Sequence, residues 1–193
     1  MSGSNQTDRL DFRVRLLERS AADTAARLGE LTRSIAGGNG GPGITAPEET
    51  IIIDADGIAP FANGFHAREL DASGRPFRWT GGDDFFEMRF FANRSIPWTF
   101  ELTVMPNPHV DVKGLRAFVD YVEVPVEVDA ACERITGSVP VKPFSTLTTM
   151  TFYLPAHFVP SQLDPASPDN RSLGVVFYGL RLDPVRPVQR SGK

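Results

Sequence analysis

Two short stretches carry the side chains best suited to chemistry. Gly64-Phe65-His66-Ala67-Arg68-Glu69 is followed shortly by Arg78-Trp79-Thr80-Gly81. A sugar ring stacks its apolar C–H face on an aromatic side chain while charged and amide groups hydrogen-bond its hydroxyls. Trp79 with Arg78, His66 and Glu69 is therefore expected to form a glycan-binding platform. The competing structural reading places Trp79 in the core and makes Arg78 an ion-pair partner.

Paired carboxylates invite a glycosidase reading, because two of them flanking a bond can supply acid and nucleophile. Asp83, Asp84, Glu87, Glu101 and Asp120 are the candidates. Gly81-Gly82-Asp83-Asp84 reads as an ordinary turn, and Glu87 and Glu101 fall at strand positions expected to face solvent. No pair stands out. The three histidines, His66, His109 and His157, lie in separate segments and suggest no metal site. Asp54-Ala55-Asp56-Gly57 starts like a calcium loop, but Phe65 occupies the twelfth position where an acidic ligand is required. There is no phosphate loop, nucleophile elbow or zinc-binding helix motif. Cys132, the single cysteine, reads as a small buried hydrophobe. No catalytic residue, cofactor or metal is expected.

These residues must be positioned by a chain of 193 residues, 41% hydrophobic and 23% charged, with a formal net charge of −4. That length suits one compact domain with an appendage, and the mild acidity gives no attraction to phosphate backbones or anionic lipid. Nucleic acid and membranes are thus unexpected partners. Met1-Ser2-Gly3-Ser4-Asn5-Gln6 leads into charged residues rather than an apolar signal core, and no run reaches membrane-spanning length. A cytoplasmic location is the expectation.

Three zones follow. After an irregular start at 1–6, Leu10, Val14, Leu17, Ala21, Thr24, Leu28, Leu31 and Ile35 alternate by four and three residues, the spacing of consecutive heptad core positions. Thr7 or Asp8 can cap such a helix and Gly37-Gly38 can end it. So narrow a stripe suits self-association better than docking on a globular core. A coiled coil over 7–36 is expected, making dimers or trimers. The glycine- and proline-rich stretch 37–47 reads as a flexible linker.

Beyond Pro47 the period changes to two. Strands are expected near 50–55, 77–80, 85–91, 98–105, 117–128, 134–141, 146–154 and 173–182. Within 98–105, Trp98, Phe100, Leu102 and Val104 point one way while Thr99, Glu101 and Thr103 point the other. Thr148, Met150, Phe152 and Leu154 repeat the pattern. So many short strands without helical spacing between them predict a mostly β fold, an antiparallel sandwich of jelly-roll type over 48–184, with a frayed tail over 185–193.

Gly64-Phe65-His66 with Glu69, then Arg78-Trp79-Thr80-Gly81, then the closing run from Leu173-Gly174 to Leu180-Arg181-Leu182 resemble the small β-sandwich domains that accompany glycosyltransferases in bacterial surface-polysaccharide loci. The resemblance covers roughly 50–184, with Ala67 standing where proline is common. It implies a carbohydrate-associated, non-catalytic module with a glycosyltransferase as possible partner, and assigns no binding residues.

The leading expectation is an oligomeric sandwich that binds glycans or supports polysaccharide assembly. A scaffolding module contacting protein through Phe85, Phe91 and Phe144 is the alternative, and a lyase or hydrolase on the same fold is the third. A groove ringed by polar groups would favour sugar, whereas a flat apolar patch would favour protein.

Overall fold

The computed structural model describes residues 14, 15, 17, 18, 21, 22, 49–57, 62–143, 145 and 147–186. The chain divides into two units, Met1–Thr45 and Ala46–Lys193. In the first, Val14, Arg15, Leu17, Glu18, Ala21 and Ala22 are helical and exposed. The remaining seam positions Leu10, Thr24, Leu28, Leu31 and Ile35 lie outside the described residues, as do 1–6 and the expected linker over 37–47. The described residues therefore give helix at part of the seam but no support for a coiled coil.

The second unit is built from β1 (Ile51–Asp54), β2 (Ala62–Asn63), β3 (Phe65–Leu70), β4 (Pro76–Thr80), β5 (Phe85–Phe91) and β6 (Trp98–Met105), followed by β7 (Arg116–Val119), β8 (Val122–Val124), β9 (Val126–Val128), β10 (Arg134–Val139), β11 (Leu147–Tyr153) and β12 (Val176–Pro184). A seven-stranded sheet runs β3-β4-β12-β6-β10-β9 with β1 also on β12, and a five-stranded sheet runs β2-β5-β11-β7-β8. Every pairing between these strands is antiparallel. The mostly β, sandwich-like expectation holds.

The core lies between the sheets. Trp98, Phe100, Leu102 and Val104 are all buried, as their alternation requires. They meet Phe86, Met88, Met150 and Phe152 from the other layer in one cluster. Phe152 stacks on Phe86 at 5.0 Å and meets Phe100 edge-on at 5.9 Å. Each fully buried aromatic of this kind stabilises by about 2 kcal/mol.

The expected strand over 117–128 breaks in two places. Asp120 and Tyr121 both take positive φ, 47° and 69°, and Val119 pairs with Val122. This is the two-residue hairpin whose backbone twist matches the flanking strands. Pro125, which lacks an N–H and cannot continue a ladder, then carries the chain from β8 in one sheet to β9 in the other. Leu173 pairs only with Phe158 in an isolated bridge, and β12 begins at Val176. The sequence reading missed β2 and β3, the latter covering the Phe65–Glu69 stretch, because its outward positions mix charge and apolar residues without clean alternation.

Candidate functional site

The four residues singled out from sequence are all engaged within the fold. The β3–β4 hairpin places Glu69 opposite Phe77 and Arg68 opposite Arg78. Its turn is tied by Asp71, whose Oδ1 accepts from the Ser73 N–H at 2.8 Å, the Ser73 hydroxyl at 2.6 Å and the Arg75 N–H at 3.0 Å. The Ser73 hydroxyl is the main cause holding the Asp71 carboxyl below its ordinary pKa. His66 Nε2 donates to the Ser172 carbonyl at 2.9 Å. Gly81 packs so closely there that a Cβ would stand 2.0 Å from the Ser172 oxygen. Glu69 accepts from Arg171 Nη1 at 2.7 Å. Arg171 Nη2 also donates to Asp169 at 2.8 Å, and this side-chain bonding lowers the Asp169 pKa to about 2. His66 and Glu69 thus fasten the hairpin to the 169–172 segment.

Arg78 and Trp79 leave the strand in opposite directions, as adjacent strand residues must. Arg78 Nε donates to the Ala55 carbonyl at 2.8 Å and Nη1 to the His66 carbonyl at 3.1 Å. Trp79 is half-buried between Phe77 and Phe158, edge-on to each at 6.3 and 5.8 Å. On the same side Arg75 lies 3.8 Å over the Tyr178 ring. The two neighbours therefore do not share one platform.

The remaining sequence candidates separate as well. Glu87, expected to face solvent, is buried, with Thr151 Oγ1 donating to it at 3.2 Å and Arg89 Nε at 3.1 Å. Its face of the sheet is covered, which alternation along one strand does not reveal. Asp120 is also enclosed, accepting from Arg94 Nη1 at 3.0 Å, Lys142 Nζ at 3.2 Å and the Thr149 N–H at 3.0 Å. Asp83 and Asp84 are exposed in their turn. Asp54 Oδ1 accepts from the Gly57 N–H at 2.6 Å, as in a simple turn. Among the described residues no three His, Cys, Asp or Glu side chains gather as metal ligands would. Cys132 is half-buried in the β9–β10 turn at φ 58°. Phe85 is buried and Phe91 is 42% exposed, while Phe144 lies outside the described residues.

Two depressions are formed by described residues. A cleft of about 630 Å³ lies between the 106–113 loop, Ala131-Cys132 and Ala156. Two of its polar groups are spent on the loop itself: Asn107 Oδ1 accepts from the His109 N–H at 2.9 Å and Asp111 Oδ1 from the Lys113 N–H at 3.1 Å. The second, about 540 Å³, crosses the outer face of the seven-stranded sheet. Register builds it from two cross-strand rows. One runs Arg181, Glu101, Thr136, Glu127, and the other Asp183, Thr99, Ser138. Phe100 and Gly137, whose side positions turn inward, contribute backbone to its floor. Thr99 Oγ1 makes a long contact to the Asp183 carbonyl at 3.4 Å. Among the described residues, the side chains of Glu101, Glu127, Thr136 and Ser138 make no hydrogen bond or ion pair. Of these only Glu101 was a sequence candidate. Outward polarity along β6 and β10 was legible, but that β9, β10, β6 and β12 lie side by side was not.

No family model matches the chain, and no curated protein matches it. Among solved structures, the Podospora anserina GH26-CBM35 beta-(1,4)-mannanase is 9% identical, with 75% of this chain and 29% of that chain covered and a TM-score of 0.47. The catalytic unit of the thermostable GH87 alpha-1,3-glucanase from Streptomyces thermodiastaticus strain HF3-3 is 12% identical, with 75% and 28% covered and a TM-score of 0.36. The chain spans less than a third of either structure.

Proposed function

We propose that the protein is a non-catalytic carbohydrate-binding sandwich that takes glycan in the groove over Thr136 and Ser138, in support of bacterial surface-polysaccharide assembly. One observation carries this reading: among the described residues Glu101, Glu127, Thr136 and Ser138 surround an open groove of about 540 Å³ and their side chains make no hydrogen bond within the protein. Polar groups that are not solvated by the protein itself are available to a ligand. Sugar hydroxyls both donate and accept, and this set offers carboxylate acceptors beside hydroxyls that do either. The neighbourhood of a glycosyltransferase is supported by the motif resemblance described for 50–184.

Sites on a shallow sheet face are weak one at a time, so self-association through the 7–36 seam, as dimer or trimer, would raise avidity by presenting several heads to a repetitive polymer. The scaffolding alternative needs an apolar patch, and the Phe85 that would contribute to it is buried.

The test is a glycan array probed with the full chain and with Ser138→Trp. Ser138 is exposed on the outer face, so the indole fills the groove without entering the core. Binding by the wild type that disappears in S138W, at unchanged melting temperature, is the expected result. Retained binding in S138W moves the site elsewhere, and an array without any bound glycan overturns the reading.

A further inference from the structure

Resting on the glycan-binding reading of this groove, we infer that it selects oligosaccharides bearing unsubstituted amino sugars and rejects uronates. Glu101, Glu127 and Asp183 line the groove, and the one cation in their two rows is Arg181, cross-strand from Glu101. Asp183 is already answered, because Arg181 donates to it from Nε at 2.7 Å and from Nη2 at 2.9 Å. Thr50 Oγ1 donates to the same carboxylate at 2.6 Å. Among the described residues neither Glu101 nor Glu127 accepts a hydrogen bond, and only Glu101 has a cation acting on it, Arg181 from the neighbouring strand.

Register fixes where their charge falls. Thr136 is the cross-strand neighbour of both Glu101 and Glu127, so the two carboxylates flank its hydroxyl in a single row. Across the intervening strand the backbones that carry them are about 10 Å apart, two strand spacings. A pyranose lying over Thr136 brings an equatorial substituent towards one or the other of them. An ammonium there meets a carboxylate, and a second uronate carboxylate meets like charge. Arg134, on the same face one row further along β10 beside Thr103, stands outside the groove. Arg181, opposite Glu101, has its guanidinium turned to Asp183. An N-acetyl group would leave the hydroxyl contacts and remove the charge, which isolates the effect.

Full-length protein is titrated with three probes in mildly acidic buffer, where a sugar amine is protonated. They are the glucosamine tetramer, its fully N-acetylated counterpart and a galacturonate tetramer. Two exposed charge contacts predict that the amine form binds about tenfold more tightly than the acetylated form. The preference shrinks in about 0.5 M salt, where screening shortens to a few Å. Binding of the uronate is the weakest of the three. Glu101→Gln with Glu127→Gln brings the amine-to-acetyl ratio close to one. Equal affinity for the amine and acetylated probes, tighter uronate binding, or an undiminished ratio in the double variant overturns the inference. If the acetylated probe binds and S138W abolishes it while no preference appears, this inference fails and the glycan-binding reading stands. If none of the probes and no array glycan is held by the groove, both fall.

Discussion

Replacing Arg78 by alanine separates a fastening role from a ligand-binding one. The guanidinium donates to two backbone carbonyls, Ala55 at 2.8 Å and His66 at 3.1 Å, and so joins the end of β1 to β3. Ala55 is fully buried, so its carbonyl has no ready access to water once the donor is gone. A hydrogen bond from a charged donor contributes about 1.5–3 kcal/mol, and the half-exposed position of Arg78 pulls the pair towards the lower end, giving a total near 3 kcal/mol. For a domain of this size about 2–4 °C of melting temperature accompanies each kcal/mol, so R78A is expected to melt about 6–12 °C lower. Arg78→Lys, with one compact donor head instead of a fork, recovers roughly half of that loss. Calorimetric melting at fixed salt measures both variants, and glycan binding is measured well below the lower transition. Unchanged melting together with lost glycan binding would refute the argument, since the guanidinium would then be a ligand contact.

Two further outcomes test the surrounding structure. Asp120→Asn keeps a side chain that tolerates the left-handed backbone at φ 47° but leaves Arg94, whose side chain is 2% exposed, without its counter-charge. The expected cost is about 3 kcal/mol in urea unfolding, partly recovered when Arg94→Met is added; a loss below about 0.5 kcal/mol contradicts this. Burial chiefly lowers the His157 pKa, against the opposing influence of Asp84 and Asp83. The unfolded chain therefore binds that proton first, and stability is complete above about pH 6.5 and declines as pH falls below it. His157→Gln flattens this limb. The steeper loss below about pH 4 stays, because Asp169, at about 2 when folded, and the lowered Asp71 and Asp183 belong to it. An identical pH profile in H157Q contradicts the assignment.

Alternation within a single strand was enough to place much of the core. Trp98, Phe100, Leu102 and Val104 had to share a face because side chains on a strand repeat every two residues, and they are buried together. The same rule put Thr99 and Glu101 outward, where the groove uses them. It could not place Glu87, whose burial depends on what lies over the far side of its sheet.

The glycine, tryptophan and charged residues of 64–81 looked like a binding surface because such residue types serve either purpose. Their partners, Ser172, Arg171 and Phe158, lie 79 to 106 positions further along the chain, and only folding reveals them. What the sequence determined by itself was local: the period-two alternation of strands such as β6 and the faces on which its side chains fall, set by backbone sterics. The tertiary structure alone decided which strands lie side by side. Cross-strand register brings Glu101, Thr136 and Glu127 into one row, and no spacing along a single chain encodes a distance that exists only between strands.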